Sequence, residues 1–114
     1  MSIFDVRSTE EGAAVRLAFT GELDLASAGR VEEELDRVER GRPERIVLDL
    51  RGLTFMDSTG LRIITGADNR ARQARRRLTI IQGPDAVRRV FEITRLDERL
   101  EIVAGDDTLA SEAG

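Results

Sequence analysis

The chain has 114 residues, 40% hydrophobic and 35% charged, with a formal charge of −4, as expected of one soluble globular domain over residues 1–114. It contains no cysteine and no histidine, and since every one of its 18 basic residues is arginine, no lysine. Those absences exclude disulfides, thiolate metal sites, a Ser-His-Asp triad, a Ser-Lys dyad and a Walker loop, and the net acidity argues against general binding to nucleic acid or acidic membranes.

Residues 3–8 alternate, and 9–13 (Thr-Glu-Glu-Gly-Ala) are turn formers. In 13–23, Val15, Leu17 and Phe19 fall on one side and Ala14, Arg16, Ala18 and Thr20 on the other, so the first two strands are expected to form a hairpin with one buried face. Over 26–40, Val31, Leu35 and Val38 recur at helical spacing with Ala28 a turn earlier, which predicts an amphipathic surface helix. After the break at 41–43, residues 45–50 are nearly all apolar, as in an inner strand covered on both faces.

Residues 51–57 read as a loop, followed by a helix over 58–76 with Leu61, Ile64, Ala67, Ala71 and Ala74 as its apolar stripe. A strand at 78–81, a helix over 84–93 opening on Pro84 and a strand near 100–103 complete the pattern, and the tail 105–114 is expected to add a weak helix or to fray. Strands alternating with helices predict an α/β fold with right-handed crossovers: a mixed, mainly parallel sheet of four to five strands, an N-terminal antiparallel hairpin and three to four helices. The arginine run at 70–77 reads as the solvated, dipole-compensating end of a helix, ahead of a phosphate-binding patch.

The residues that call for explanation are Asp57, Ser58, Thr59 and Gly60, small or polar within a run that is apolar on both sides. At a helix start, Asp57 or Ser58 would cap an otherwise unpaired N–H, for about 1 kcal/mol. The same helix end would accommodate a phosphate esterified to Ser58, and Gly60, lacking a side chain, would let another protein approach.

Two segments, 21-GELDLASAGRVEEEL-35 and 46-IVLDLRGLTFMDSTGLRIIT-65, resemble the signature regions of anti-sigma factor antagonists of the STAS domain family, and the similarity continues through 84–102. The resemblance implies a STAS-like single domain that is not an enzyme, with Ser58 as a phosphoacceptor for an anti-sigma factor serine kinase and a serine phosphatase to reverse the modification. It implies that the unphosphorylated form binds the anti-sigma factor and frees a sigma factor, and that phosphorylation ends the binding. Asp24, Asp57, Ser58, Thr59 and Gly60 would lie on the partner-binding surface, with Asp24 serving also, or instead, as N-cap of the first helix; Thr59 is an alternative acceptor. The chain departs from the family at Thr94-Arg95-Leu96, where a glycine is common in the middle position.

No cofactor or metal is expected, the protein is expected to be cytoplasmic, without direct contact to nucleic acid or membrane, and a monomer when free. Three readings compete. A hydrolase using Ser58 lacks a base, and a phosphorelay receiver using Asp49 lacks its lysine and acidic pair. The third is a STAS adaptor subunit of a lipid transporter or stress-signalling assembly, free of kinase control.

Overall fold

The computed structural model describes residues 3–105. Alternation at the N-terminus forms the hairpin of β1 (Phe4–Glu11) and β2 (Ala14–Leu23), with Glu11 opposite Ala14. Only Gly12 and Ala13 are left to turn. Residues 9–11, expected within the turn, instead stay paired, and Arg16 Nε donates to Glu11 Oε2 at 2.8 Å beside them.

The remaining elements are α1 (Ala28–Arg40), β3 (Arg45–Met56), α2 (Ser58–Gln73), β4 (Arg77–Ile81), α3 (Asp85–Ile93), a 3-10 turn (Leu96–Glu98) and β5 (Ile102–Val103). The sheet runs β1-β2-β3-β4-β5, antiparallel at β1/β2 and parallel elsewhere. Because spatial order equals chain order, each right-handed crossover steps the same way and lays its helix on the same face. One core results, in which Leu17, Phe19, Ile46, Leu48, Leu50, Leu78 and Ile80 of the sheet meet Val31 and Leu35 of α1, Ile64 and Ala67 of α2, and Val87 and Phe91 of α3. Each large side chain so buried contributes about 1.5–3 kcal/mol.

Among the described residues helices therefore cover β3 on one face only, which differs from that expectation. On the helix-free face Val47, Ile81 and Val103 form a separate small cluster, and polar side chains lace the strands around it. Arg16 reaches Asp49 at 3.2 Å, Arg51 grips Asp49 at 2.7 and 2.9 Å, Arg45 reaches Thr79 at 3.0 Å and Arg77 reaches Glu101 at 2.7 Å. Arginine stems lying across neighbouring strands shield apolar atoms while their heads stay paired, so β3 can be buried without a second helical layer.

The segment expected as a loop, 51–56, is the second half of β3. Ala18 pairs with Asp49 but Thr20 with Gly52, and Gly21 with Leu53 but Glu22 with Phe55, so β3 carries two extra residues as bulges. Bulges break the period of two and hide a strand from pattern reading. Helix boundaries also shift: α1 starts at Ala28 and not at 26, and α2 ends at Gln73 and not at 76. The latter stop is backbone in origin, since Arg75 takes φ 57° and the Arg76 N–H turns back to the Ala71 carbonyl at 2.8 Å. From residue 106 onward the expected tail helix or frayed end lies outside the described residues. Among the described residues no helix is long and apolar enough to cross a membrane.

Candidate functional site

The two signature segments meet because β2 and β3 end side by side. Leu23 pairs with Met56, and the Asp57 N–H donates to the Leu23 carbonyl at 3.3 Å as a last link before the chains diverge. Asp24 then enters a turn toward α1 while Asp57 opens α2. Asp24 and residues 57–60 are thus brought to one end of the sheet, outside the carboxyl ends of its parallel strands.

Gly21 makes the approach to this end possible. Its φ is +91°, and a β-carbon there would lie 1.8 Å from the Ile3 carbonyl oxygen, which accepts the Glu22 N–H at 3.2 Å. Gly60 is also buried, and a β-carbon on it would lie 2.6 Å from Met56 Cγ and 2.8 Å from Leu23 Cγ. Its missing side chain is used inward, to seat α2 on the strand ends, and not outward to admit a partner.

Asp57 is the N-cap of α2. Its backbone is extended, and Oδ1 accepts from the N–H groups of Thr59 at 2.9 Å and Gly60 at 3.4 Å. Of the two residues considered for this cap, Asp57 takes it, and its carboxylate is committed to the backbone. Ser58, next along, is exposed, and its hydroxyl makes no hydrogen bond to another described residue. Thr59 is half-buried.

Asp24 does not cap α1, which corrects one of its two readings: Ser27 occupies that position. Asp24 instead closes the preceding turn, with Oδ1 accepting the Ser27 N–H at 3.2 Å and its own N–H donating to Ser27 Oγ at 3.0 Å. Ser27 is buried, and its hydroxyl lies 3.0 Å from the Glu22 carbonyl that can accept from it. Sequence reasoning passed over Ser27. It also passed over Leu25 and Phe55, large apolar side chains that are 75% and 45% exposed beside Asp24 and the 57–60 box. Leu25 was legible as an apolar residue in a polar turn; Phe55 was hidden by the loop reading of 51–57.

The competing Asp49 is unsuited to accept a phosphoryl group. It is buried on the helix-free face and locked by Arg51 and Arg16. Burial alone would raise its pKa, but the hydrogen bonds and charge of Arg51, with help from Arg16, outweigh burial and hold the carboxyl below its ordinary value. In the arginine run, Arg70 binds Glu39 at 2.7 Å, Arg72 binds Asp68 at 2.8 Å, Arg76 the Pro43 carbonyl at 2.8 Å and Arg77 Glu101 at 2.7 Å. This is the pattern of a structural helix end. Among the described residues no group of three or more acidic, histidine or cysteine side chains could hold a metal.

The family model described as Mlab, STAS domain matches residues 6–104. The chain belongs to the STAS domain family, among its anti-sigma factor antagonists. It is 39% identical over 84 residues to the anti-sigma-B factor antagonist of Listeria monocytogenes, covering 72% of each chain, and 27% identical over 103 residues to that of Staphylococcus aureus, covering 90% and 95%. In fold, this STAS domain is similar to an anti-sigma factor antagonist from Mycobacterium paratuberculosis, with TM-score 0.84 and 22% identity over 96% and 93% of the two chains. It is similar also to SpoIIAA in its unphosphorylated form, with TM-score 0.79 and 19% identity over 96% and 97%. The Bacillus protein in its phosphorylated form aligns with TM-score 0.71 and 18% identity over 96% and 98%.

Proposed function

We propose that this STAS domain is an anti-sigma factor antagonist whose unphosphorylated form binds an anti-sigma factor serine kinase in the cytoplasm, releasing a sigma factor, and that phosphorylation of Ser58 ends the binding. The observation that carries the reading is the state of Ser58: exposed, without a hydrogen-bond partner among the described residues, and held on a capped helix start beside the Asp24 turn. The names of the curated relatives and the phosphorylated form known for a protein of the same fold support it.

The groups divide as follows. Ser58 Oγ receives the γ-phosphoryl group of ATP held by the kinase: an O–P bond forms at Ser58, the bond to the β-phosphate oxygen breaks, ADP leaves, and the hydroxyl proton passes to a base of the kinase. Asp57, occupied as a cap, positions the serine. Asp24, Thr59, Leu25 and Phe55 supply the surrounding contact surface, and Gly60 keeps α2 in place. A serine phosphatase restores the binding form. The added charge of roughly −1.5 to −2 meets Asp57 and Asp24 on the same surface, and only ~2.7 kcal/mol of lost complementarity weakens a complex a hundredfold.

The test is a pull-down from lysate of the native cell with wild type, Ser58→Ala and Ser58→Asp as baits, with ATP or ADP added. The alanine bait should hold an ATP-binding serine kinase under both conditions, and the aspartate bait should bind it at least a hundredfold more weakly. One alternative stays in view, the STAS adaptor subunit of a lipid transporter or stress-signalling assembly, free of kinase control. Capture of the same non-kinase partner by all three baits would overturn the kinase reading and leave Asp57 and Ser58 as a helix cap within an adaptor surface.

A further inference from the structure

We infer that Arg62 is the intramolecular partner of a phosphate on Ser58, and that pairing with it withdraws Arg62 from the carboxylates of α1. The inference rests on the proposed modification of Ser58. A phosphate at that position finds the helix end largely taken, because Asp57 already occupies the N–H groups of Thr59 and Gly60, leaves at most that of Ser58 itself, and adds its own negative charge alongside. The dianion needs a cation, and Arg62 is the basic residue of the first turns of α2.

Arg62 stands four residues after Ser58, on the same face of the helix. Helical side chains lean toward the N-terminus, so an arginine at this position covers the turn in which Ser58 sits. Arg62 is exposed and its side chain makes no hydrogen bond or ion pair with another described residue, so no side-chain bond has to break for the guanidinium to move.

In the unmodified protein Arg62 lines a groove of about 460 Å³ between α1 and α2, with Glu32, Asp36, Glu39 and Arg70. Arg70 is fixed to Glu39 at 2.7 Å and Asp36 is paired with Arg40 at 2.8 Å. Arg62 therefore shares the groove with the α1 carboxylates without a direct pair to any of them. Those lining charges are three carboxylates against two guanidiniums, and transfer of Arg62 to the phosphate leaves three against one. The modification of one serine is in this way carried to the exposed flank of α1.

The experiment uses protein with phosphoserine installed at position 58 during translation, and follows the phosphorus chemical shift against pH for wild type, Arg62→Gln and Arg62→Lys. The second ionisation of the phosphate is expected to lie roughly 0.2–0.4 pH unit lower in wild type than in Arg62→Gln, the size of one helix-surface ion pair, since that step adds a single charge. Arg62→Lys should recover most of that difference. Identical titrations in the three proteins overturn the assignment. So does an Arg62 Nε–H resonance that is the same in modified and unmodified wild type, a measurement that needs no variant. Because the phosphate is installed without a kinase, loss of the kinase reading in the pull-down would leave this pairing intact, and loss of the pairing would leave kinase capture intact.

Discussion

Leu23 closes over Gly60 so tightly that a β-carbon at position 60 would lie 2.8 Å from the leucine Cγ and 2.9 Å from its Cδ2. The last residue of β2 and the first turn of α2 are thereby packed as one unit, which fixes Ser58 relative to Asp24. Helix propensity favours alanine over glycine by about 1 kcal/mol, but overpacking a closed contact costs about 1–3 kcal/mol. Leu23 and Met56 are both buried and have little room to yield. Gly60→Ala should therefore lower stability in urea denaturation by roughly 1 kcal/mol and weaken partner capture. Stability at or above wild type would show that α2 can slide on the strand ends.

Asp24 and Ser27 exchange two hydrogen bonds across one turn, and the two residues carry different loads. Asp24→Ala loses the acceptor of the Ser27 N–H, worth about 1 kcal/mol by analogy with a cap. Ser27→Ala also strips a partner from the Asp24 N–H at a buried position and should cost roughly 1–3 kcal/mol. Thermal denaturation of both variants alongside partner titration separates folding from recognition. Unchanged stability in Asp24→Ala would leave its carboxylate with a recognition role alone.

Asp49 and Glu101 anchor the arginines of the helix-free face. Burial raises each carboxyl, and Arg51 with Arg16, or Arg77 with Thr79, more than reverses it, so both sit below their ordinary values of 3.8 and 4.5. The unfolded chain then binds more protons, and the stability these groups contribute is complete above the unfolded values. It is lost as pH falls below about 4.5 and then 3.8 through the lowered folded values. Asp49→Asn should flatten the steepest part of that acid limb and cost roughly 2–3 kcal/mol at neutral pH, less than a fully buried pair because Arg51 is half exposed. An acid limb identical to wild type would move the effect to other carboxylates.

Periodicity was a good guide where a single face decides burial. Val31, Leu35 and Val38 of α1 lie against the sheet as their spacing requires, and Leu17 and Phe19 of β2 face the helical side of it. The Asp57-Ser58 helix start was legible because capping chemistry is local. Residues 51–56 were not, since two bulges shift the register of β3 against β2 and place Thr54 and Phe55 both outward between buried Leu53 and Met56. The role of Gly60 was misread for a related reason: a glycine that spares a partner and one that spares Leu23 look the same until the fold supplies the neighbour. The one-sided helical cover follows from strand order, which no local pattern contains.

Arg95 explains the departure from the family glycine after α3. It takes φ 61°, ψ 19°, immediately beyond the helix cap at Thr94, where left-handed backbone closes the helix and glycine is the usual occupant. An L-residue there costs about 1–2 kcal/mol; glycine removes that strain but loses about 0.5–1 kcal/mol of the gain to its greater freedom when unfolded. The Arg95 side chain makes no hydrogen bond or ion pair with another described residue to offset that cost, and its backbone bonds, N–H to the Glu92 carbonyl at 3.1 Å and carbonyl from the Glu98 N–H at 3.3 Å, would be kept by glycine. Arg95→Gly should therefore stabilise the domain by about 0.5–1 kcal/mol, a rise in Tm of roughly 2–8 °C for a chain of this size. Arg95→Ala, which keeps the β-carbon and its strain, should show no such rise. If the two variants melted together, the strained turn would not be the source of the effect and the arginine stem would have to be packing on Leu96 or α3. Because the site lies after α3 and not on the strand ends that carry Asp24 and Ser58, the stabilised variant should capture its partner as wild type does.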